Sequence, residues 1–189
     1  MSLWVWLSLA AIVATALVFI YNGLVTARQM SAEGWSGILV QLKRRADLIP
    51  TLVDTVRGAA THEREALERV TLLRESALQA GEGHPAARAA AEALLGSAMN
   101  NLIARAEAYP DLKSSANFLE LQRELARTEE QLQMSRRYYN GAVRLLNTKV
   151  QQFPSNLVAR SFGFVPAEYF ELENKAEAQA PVVQLERKA

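Results

Sequence analysis

The chain has 189 residues, the size of one ordinary domain, and 21 Lys and Arg against 20 Asp and Glu leave it almost neutral. Such a balance provides no overall attraction to nucleic acid. The lack of cysteine excludes disulfides, thiolate metal sites, a thiol nucleophile and lipid attached through sulfur.

Residues 3–20, LWVWLSLAAIVATALVFI, carry no charge, and as a helix they would be about 27 Å long, close to the hydrocarbon thickness of a bilayer. Trp4, Trp6 and Tyr21 stand at the two ends, where amphipathic rings favour the headgroup level. Val25-Thr26-Ala27 before Arg28 offers small residues for a signal cleavage. However, no basic region precedes the apolar run and the run exceeds a usual signal core, so a retained single-pass anchor is expected. Arg28 is the one cation close to the span, which favours an amino terminus outside and the rest in the cytoplasm, with the opposite topology open. The boundaries expected are anchor and start of stalk at 1–27, helical bundle at 28–174 and a tail at 175–189 whose PVVQL is extended.

From Trp35 a stripe of Leu39, Leu42, Ala46, Ile49, Val53, Val56 and Ala60 steps by three and four and continues through Leu67, Val70, Leu73 and Ala77. It predicts one helix from near Arg28 to about Gln79, ended by GEGHP at 81–85. Pro50 removes a backbone donor and crowds Ala46, a defect of about 3 kcal/mol, so either the helix kinks there or Asp47 caps a new one. A second helix follows, with Ala87, Ala91, Leu94, Ala98, Leu102 and Tyr109 on one side. A third runs from about Ser115 to Phe153, carrying Leu121, Leu125, Thr128, Leu132, Ser135, Tyr139, Ala142 and Leu146, antiparallel to the second because the turn between them is short. LVARSF begins a further short helix. Tyr21-Asn22-Gly23 and Tyr139-Asn140-Gly141 read as helix joints lightened by glycine. The fold class is all-α, a bundle on a membrane stalk.

Lys43, Arg44 and Arg45 fan over about 200 degrees of a helix and cannot share one partner, which disfavours nucleic acid. Arg44 would stand about 35 Å beyond Tyr21, far past the screening length, which disfavours headgroups. Arg45 borders the buried stripe, so an interhelical network is expected in which Glu129 joins Arg45 or Arg136. Lys43 and Arg44 read as a solvated face.

YNGLV at 21–25, VQLKRRADLIPTLVDTVRG at 40–58, THE at 61–63, AYPDLKSSANFLELQREL at 108–125, SRRYYN at 135–140, FPSNLVA at 153–159 and FGF at 162–164 together resemble the bacterial LemA family, in order and over nearly the whole chain. The resemblance implies a membrane anchor, an antiparallel four-helix bundle with a long first helix, and the inner membrane with the bundle in the cytoplasm; it implies no established enzyme activity. Leu39 stands where relatives often carry an acidic residue, Ala59 where an aromatic is common and Leu146 where tyrosine is frequent, swaps expected to make the bundle surface more apolar.

Catalytic patterns are weak. His62-Glu63 lacks the second histidine of a zinc protease, the other histidine being His84 in a loop. GEGH lacks the lysine of a phosphate loop, and adjacent carboxylates such as Glu129 and Glu130 point to different faces. No cofactor is expected. The function expected is a non-enzymatic scaffold, adaptor or assembly subunit acting by contact. Gly34, Gly37, Leu39, Lys43 and Arg44 form its candidate interaction surface, and the two glycines allow close packing into a homo-oligomer. The resemblance suggests an accessory role beside a membrane-embedded protease. The alternative is a sensory or ligand-binding bundle on the periplasmic side, with a cavity among Ala87–Ala98.

Overall fold

The computed structural model describes residues 2–59, 63–81 and 83–171. The order is α1 (Ser2–Ala59), α2 (Arg64–Gln79), α3 (Pro85–Ala106), α4 (Pro110–Lys113), α5 (Ala116–Gln151) and α6 (Ser155–Ser161). Among these residues α1 is the one helix long and apolar enough to cross a membrane, with a window of mean hydropathy 2.4 and none of that window buried. His62, PVVQL and the rest of the tail lie outside the described residues.

The long stripe belongs to two helices rather than one. α1 ends at Ala59 and α2 folds back along it, so that Arg74 reaches Ala46. Both bury an apolar face in the same core, and a period of three and four cannot tell straight continuation from a hairpin. The four helices of the bundle are therefore α1, α2, α3 and α5, running alternately up and down.

α1 and α5 pack antiparallel over most of the length of α5. Their approach is closest at Gly34, where an added Cβ would stand 2.9 Å from the Tyr139 Cα, a distance that leaves room for nothing but hydrogen. Three apolar clusters stack along this pair. At the anchor end Leu24 meets Val158, Ala159 and Phe164. Ile38, Leu42, Leu132, Tyr139, Val143 and Phe170 fill the middle. Ile49, Leu52, Val56, Leu67, Leu102 and Phe118 fill the far end, where α2 and α3 cover the pair.

The stripe on α5 lies in the core as its spacing requires, apart from half-buried Ser135, and Leu146 is buried there rather than on the surface. The stripe on α3 does so only in part: Leu102 is in the core and Ala91, Ala98 and Tyr109 pack against its edge, but Ala87 faces solvent. Leu94 is exposed, and the buried face is Arg88, Ala89, Glu92, Leu95, Met99, Leu102 and Ala106. The two Tyr-Asn-Gly copies lie inside unbroken helices rather than at joints. Asn140 exchanges hydrogen bonds with the backbone of Phe170 at 3.0 and 3.1 Å, and Asn147 does the same with Ala167 at 2.8 and 3.0 Å. Seven residues apart, the two amides share one face of α5 and clamp the segment 164–171 to it as a strap. Tyr139 Oη donates to the Glu168 carbonyl at 2.7 Å, and burial of the phenol, reinforced by the nearby Glu168 charge, pushes its pKa up to about 12.

α1 passes through Pro50 without a break or a new start. The missing N–H leaves the Ala46 carbonyl without its helical donor, and Arg74 Nε of α2 donates to that oxygen at 2.8 Å. Arg74→Ala is expected to cost about 1–3 kcal/mol by orphaning the carbonyl. In a Pro50→Ala background, where the backbone N–H at position 50 returns, the same change should cost clearly less; equal costs in a double-mutant cycle by thermal unfolding in detergent would reject the pairing. A neutral Tyr139 is favoured by the fold, so its contribution is whole below pH 10.0, where the unfolded phenol begins to ionise, and is lost as pH rises toward about 12. Tyr139→Phe should lower stability by about 1 kcal/mol at neutral pH and flatten this alkaline decline in melting temperature.

Candidate functional site: a buried charge cluster beneath an open cleft

α3 and α5 do not close against each other. Their backbones stay apart, leaving a cleft of about 860 Å³ whose walls include Ala93, Gly96 and Ser97 of α3 and Ala126, Glu129 and Gln133 of α5. Small residues keep it wide, because Ala, Gly and Ser carry too little volume to fill the gap. The floor is Arg45 of α1 beside Glu92 of α3.

Arg45, Glu92 and Arg88 are 5%, 1% and 5% exposed. One Glu92 oxygen, Oε2, pairs with Arg45 Nη2, and the other, Oε1, accepts Arg88 Nε at 3.0 Å. Arg45 Nη1 also donates to Glu129 Oε2 at 3.3 Å, and its Nε, though buried, has no hydrogen-bond partner. Two guanidinium groups thus share one carboxylate out of water, with Glu129 at the cleft surface supplying the balancing charge. Desolvation opposes such a cluster, and its ion pairs offset that cost only in part, because Arg45 Nε is left unpaired.

The sequence-predicted residues divide as follows. Arg45 and Glu129 meet. Arg136 lines the same cleft and donates to Gln133 at 3.0 Å. Lys43 pairs with Asp47 at 2.9 Å and Arg44 with Glu124 at 2.8 Å, both on the outside. Arg127 and Arg44 together hold the Glu124 carboxyl below its ordinary pKa. Gly34 is buried against α5 of the same chain, so the close approach it allows is made within the bundle; Leu39 and Gly37 are half-buried. Sequence reasoning missed Glu92 and Arg88, although a signal was present. They are the sole charged residues between Pro85 and Ala104, four apart on an alanine-rich helix, hence on one face.

The cluster has no nucleophile, and among the described residues no group of three His, Asp or Glu could hold a metal ion. What the arrangement offers is a polar floor that orients α1, α3 and α5 and a slot open to a partner. Glu92→Ala should cost about 3–5 kcal/mol by leaving two buried cations unpaired. The triple change Arg45→Met, Arg88→Met, Glu92→Leu should melt within a few degrees of the parent or higher. A mild Glu92→Ala or a collapsed triple variant, by circular dichroism in detergent, would show that the charges are not paired as described.

Residues 34–185 match the model of the LemA family. Magnetosome protein MamQ 2 of Paramagnetospirillum magneticum is 27% identical over an alignment 201 positions long, covering 94% of this chain and 73% of that protein. Magnetosome protein MamQ of Magnetospirillum gryphiswaldense is 25% identical with the same coverage. Protein LemA of Metamycoplasma hominis is 28% identical over 118 residues, 62% of this chain and 53% of its own length.

Proposed function

The chain belongs to the LemA family, and from that premise we propose that it is a single-pass membrane protein whose bundle acts by contact, as a non-enzymatic scaffold or adaptor. The observation that carries this is the continuity of α1, which is exposed and apolar over its first turns and becomes the central core helix of the bundle without interruption. A span and a core sharing one helix hold the bundle, and any partner on it, at a set height above the bilayer. The α3–α5 cleft is the slot for a partner segment, and a membrane-embedded protease or a second copy of this chain is the kind of neighbour that confinement to the bilayer would favour. Arg28, the cation within about 20 residues of the apolar run, supports a bundle in the cytoplasm.

A second reading, a periplasmic ligand-binding bundle, is favoured by the same cleft, since Arg45 Nε is a buried donor without a partner at its floor. Two measurements separate them. A photocrosslinking residue at Ser97 or Ala126 should yield protein adducts in living cells that one at exposed Leu72 does not. A carboxyl-terminal alkaline phosphatase fusion should be silent; an active fusion without adducts would replace the first reading by the second.

A further inference from the structure

Four large apolar side chains at one end of the bundle have no cover. Phe153 is 74% exposed, Leu157 56%, Phe162 63% and Val165 72%. All lie on α6 or its two flanks, whose inner side, Val158, Ala159 and Phe164, packs on Leu24 and Ile20 of α1. Ile20 is the last residue of the apolar run. The Tyr21 ring stands 4.9 Å from that of Phe162 and 5.9 Å from that of Phe164, and the Arg28 guanidinium sits 4.9 Å over Phe164. The antiparallel register that brings Lys149 to Gly23 carries Phe153 to about the level of Phe19, within the apolar run. Hence the patch is at the height where the chain would leave a bilayer, beside the span and not beyond it.

Charge agrees with position. Residues 1–32 contain Arg28 and no acid, and residues 141–167 contain Arg144, Lys149 and Arg160 and no acid. An apolar patch bordered by cations alone, at membrane height, is complementary to the headgroup and upper acyl region of an anionic leaflet. A helix of seven residues would bind lipid poorly by itself. Tethered to a span only two side chains away, it faces lipid at a very high effective concentration and needs little affinity of its own.

We propose that α6 and its flanks are a lipid-contacting foot, seated in the interfacial layer of the leaflet from which α1 emerges, with Phe153, Leu157, Phe162 and Val165 below the phosphates and the four cations at their level. This rests on the reading of residues 3–20 as a membrane span. The foot is a second contact with the bilayer, and it sets which side of the bundle faces down.

The chain has no cysteine, so Leu157→Cys, Val165→Cys, Val13→Cys in the span and Leu72→Cys on α2 can each carry one spin label in the full chain, reconstituted in phosphatidylcholine and phosphatidylglycerol vesicles. The expected result is an oxygen-to-nickel-chelate accessibility ratio at 157 and 165 severalfold above that at 72 and approaching that at 13. Ratios at 157 and 165 equal to that at 72, with 13 still oxygen-rich, overturn the foot and leave the span intact. An aqueous value at 13 overturns both. Label–label broadening at 157 or 165 that survives dilution in excess lipid assigns the patch to a second copy of the chain and overturns the lipid proposal.

Discussion

The close antiparallel contact between α1 and α5 is the constraint from which the remaining geometry follows. With Gly34 against the Tyr139 backbone, the two helices have one register, and that register decides what lies at each height. It brings Arg44 to Glu124 and Arg45 to Glu129, and places the end of α5 beside the end of the apolar run. A side chain at position 34 would force the pair apart by more than the surrounding packing can absorb. The strap and α6 are attached to α5 and inherit the same register.

The buried charge cluster plays a different part. Apolar contacts between α1, α3 and α5 would tolerate small slides, whereas a carboxylate shared by two guanidinium groups has one good arrangement. Glu92 therefore specifies where α3 sits along α1 even though the gap between α3 and α5 is left open. The cost is desolvation, and the benefit is a slot that keeps its shape without being filled.

Legibility in the sequence followed composition. On α5 the apolar residues are separated by Glu, Gln and Arg, so Leu121 through Leu146 could belong to only one face, and the long uncharged run at 3–20 was equally plain. On α3 almost every position is small or apolar, several stripes fit the helical period, and the one chosen put exposed Leu94 inward in place of Leu95 and Met99. The reversal of direction between α1 and α2 was hidden because α2 returns to the same core in phase. Arg45 with Glu129 was readable because both border strong stripes. Glu92 was passed over because a core carboxylate contradicts the pattern used to find cores, although its four-residue spacing from Arg88 on an alanine-rich helix was there to be read. The strap was invisible because Asn140 and Asn147 look like ordinary helix-surface amides until a backbone is laid across them.

The passage of α1 through Pro50 without a break has a mechanical side. From Tyr21 to Ala59 the helix extends about 57 Å beyond the apolar run, and with no helix break between that run and the bundle any inclination of one is an inclination of the other. Transmembrane helices adjust to bilayer thickness by tilting, on average by about 20 degrees, and over that lever arm such a tilt carries the outer end of the bundle sideways by about 20 Å. With the apolar run seated in a bilayer, the thickness of that bilayer would thus be converted into a sideways displacement of the far end of the bundle.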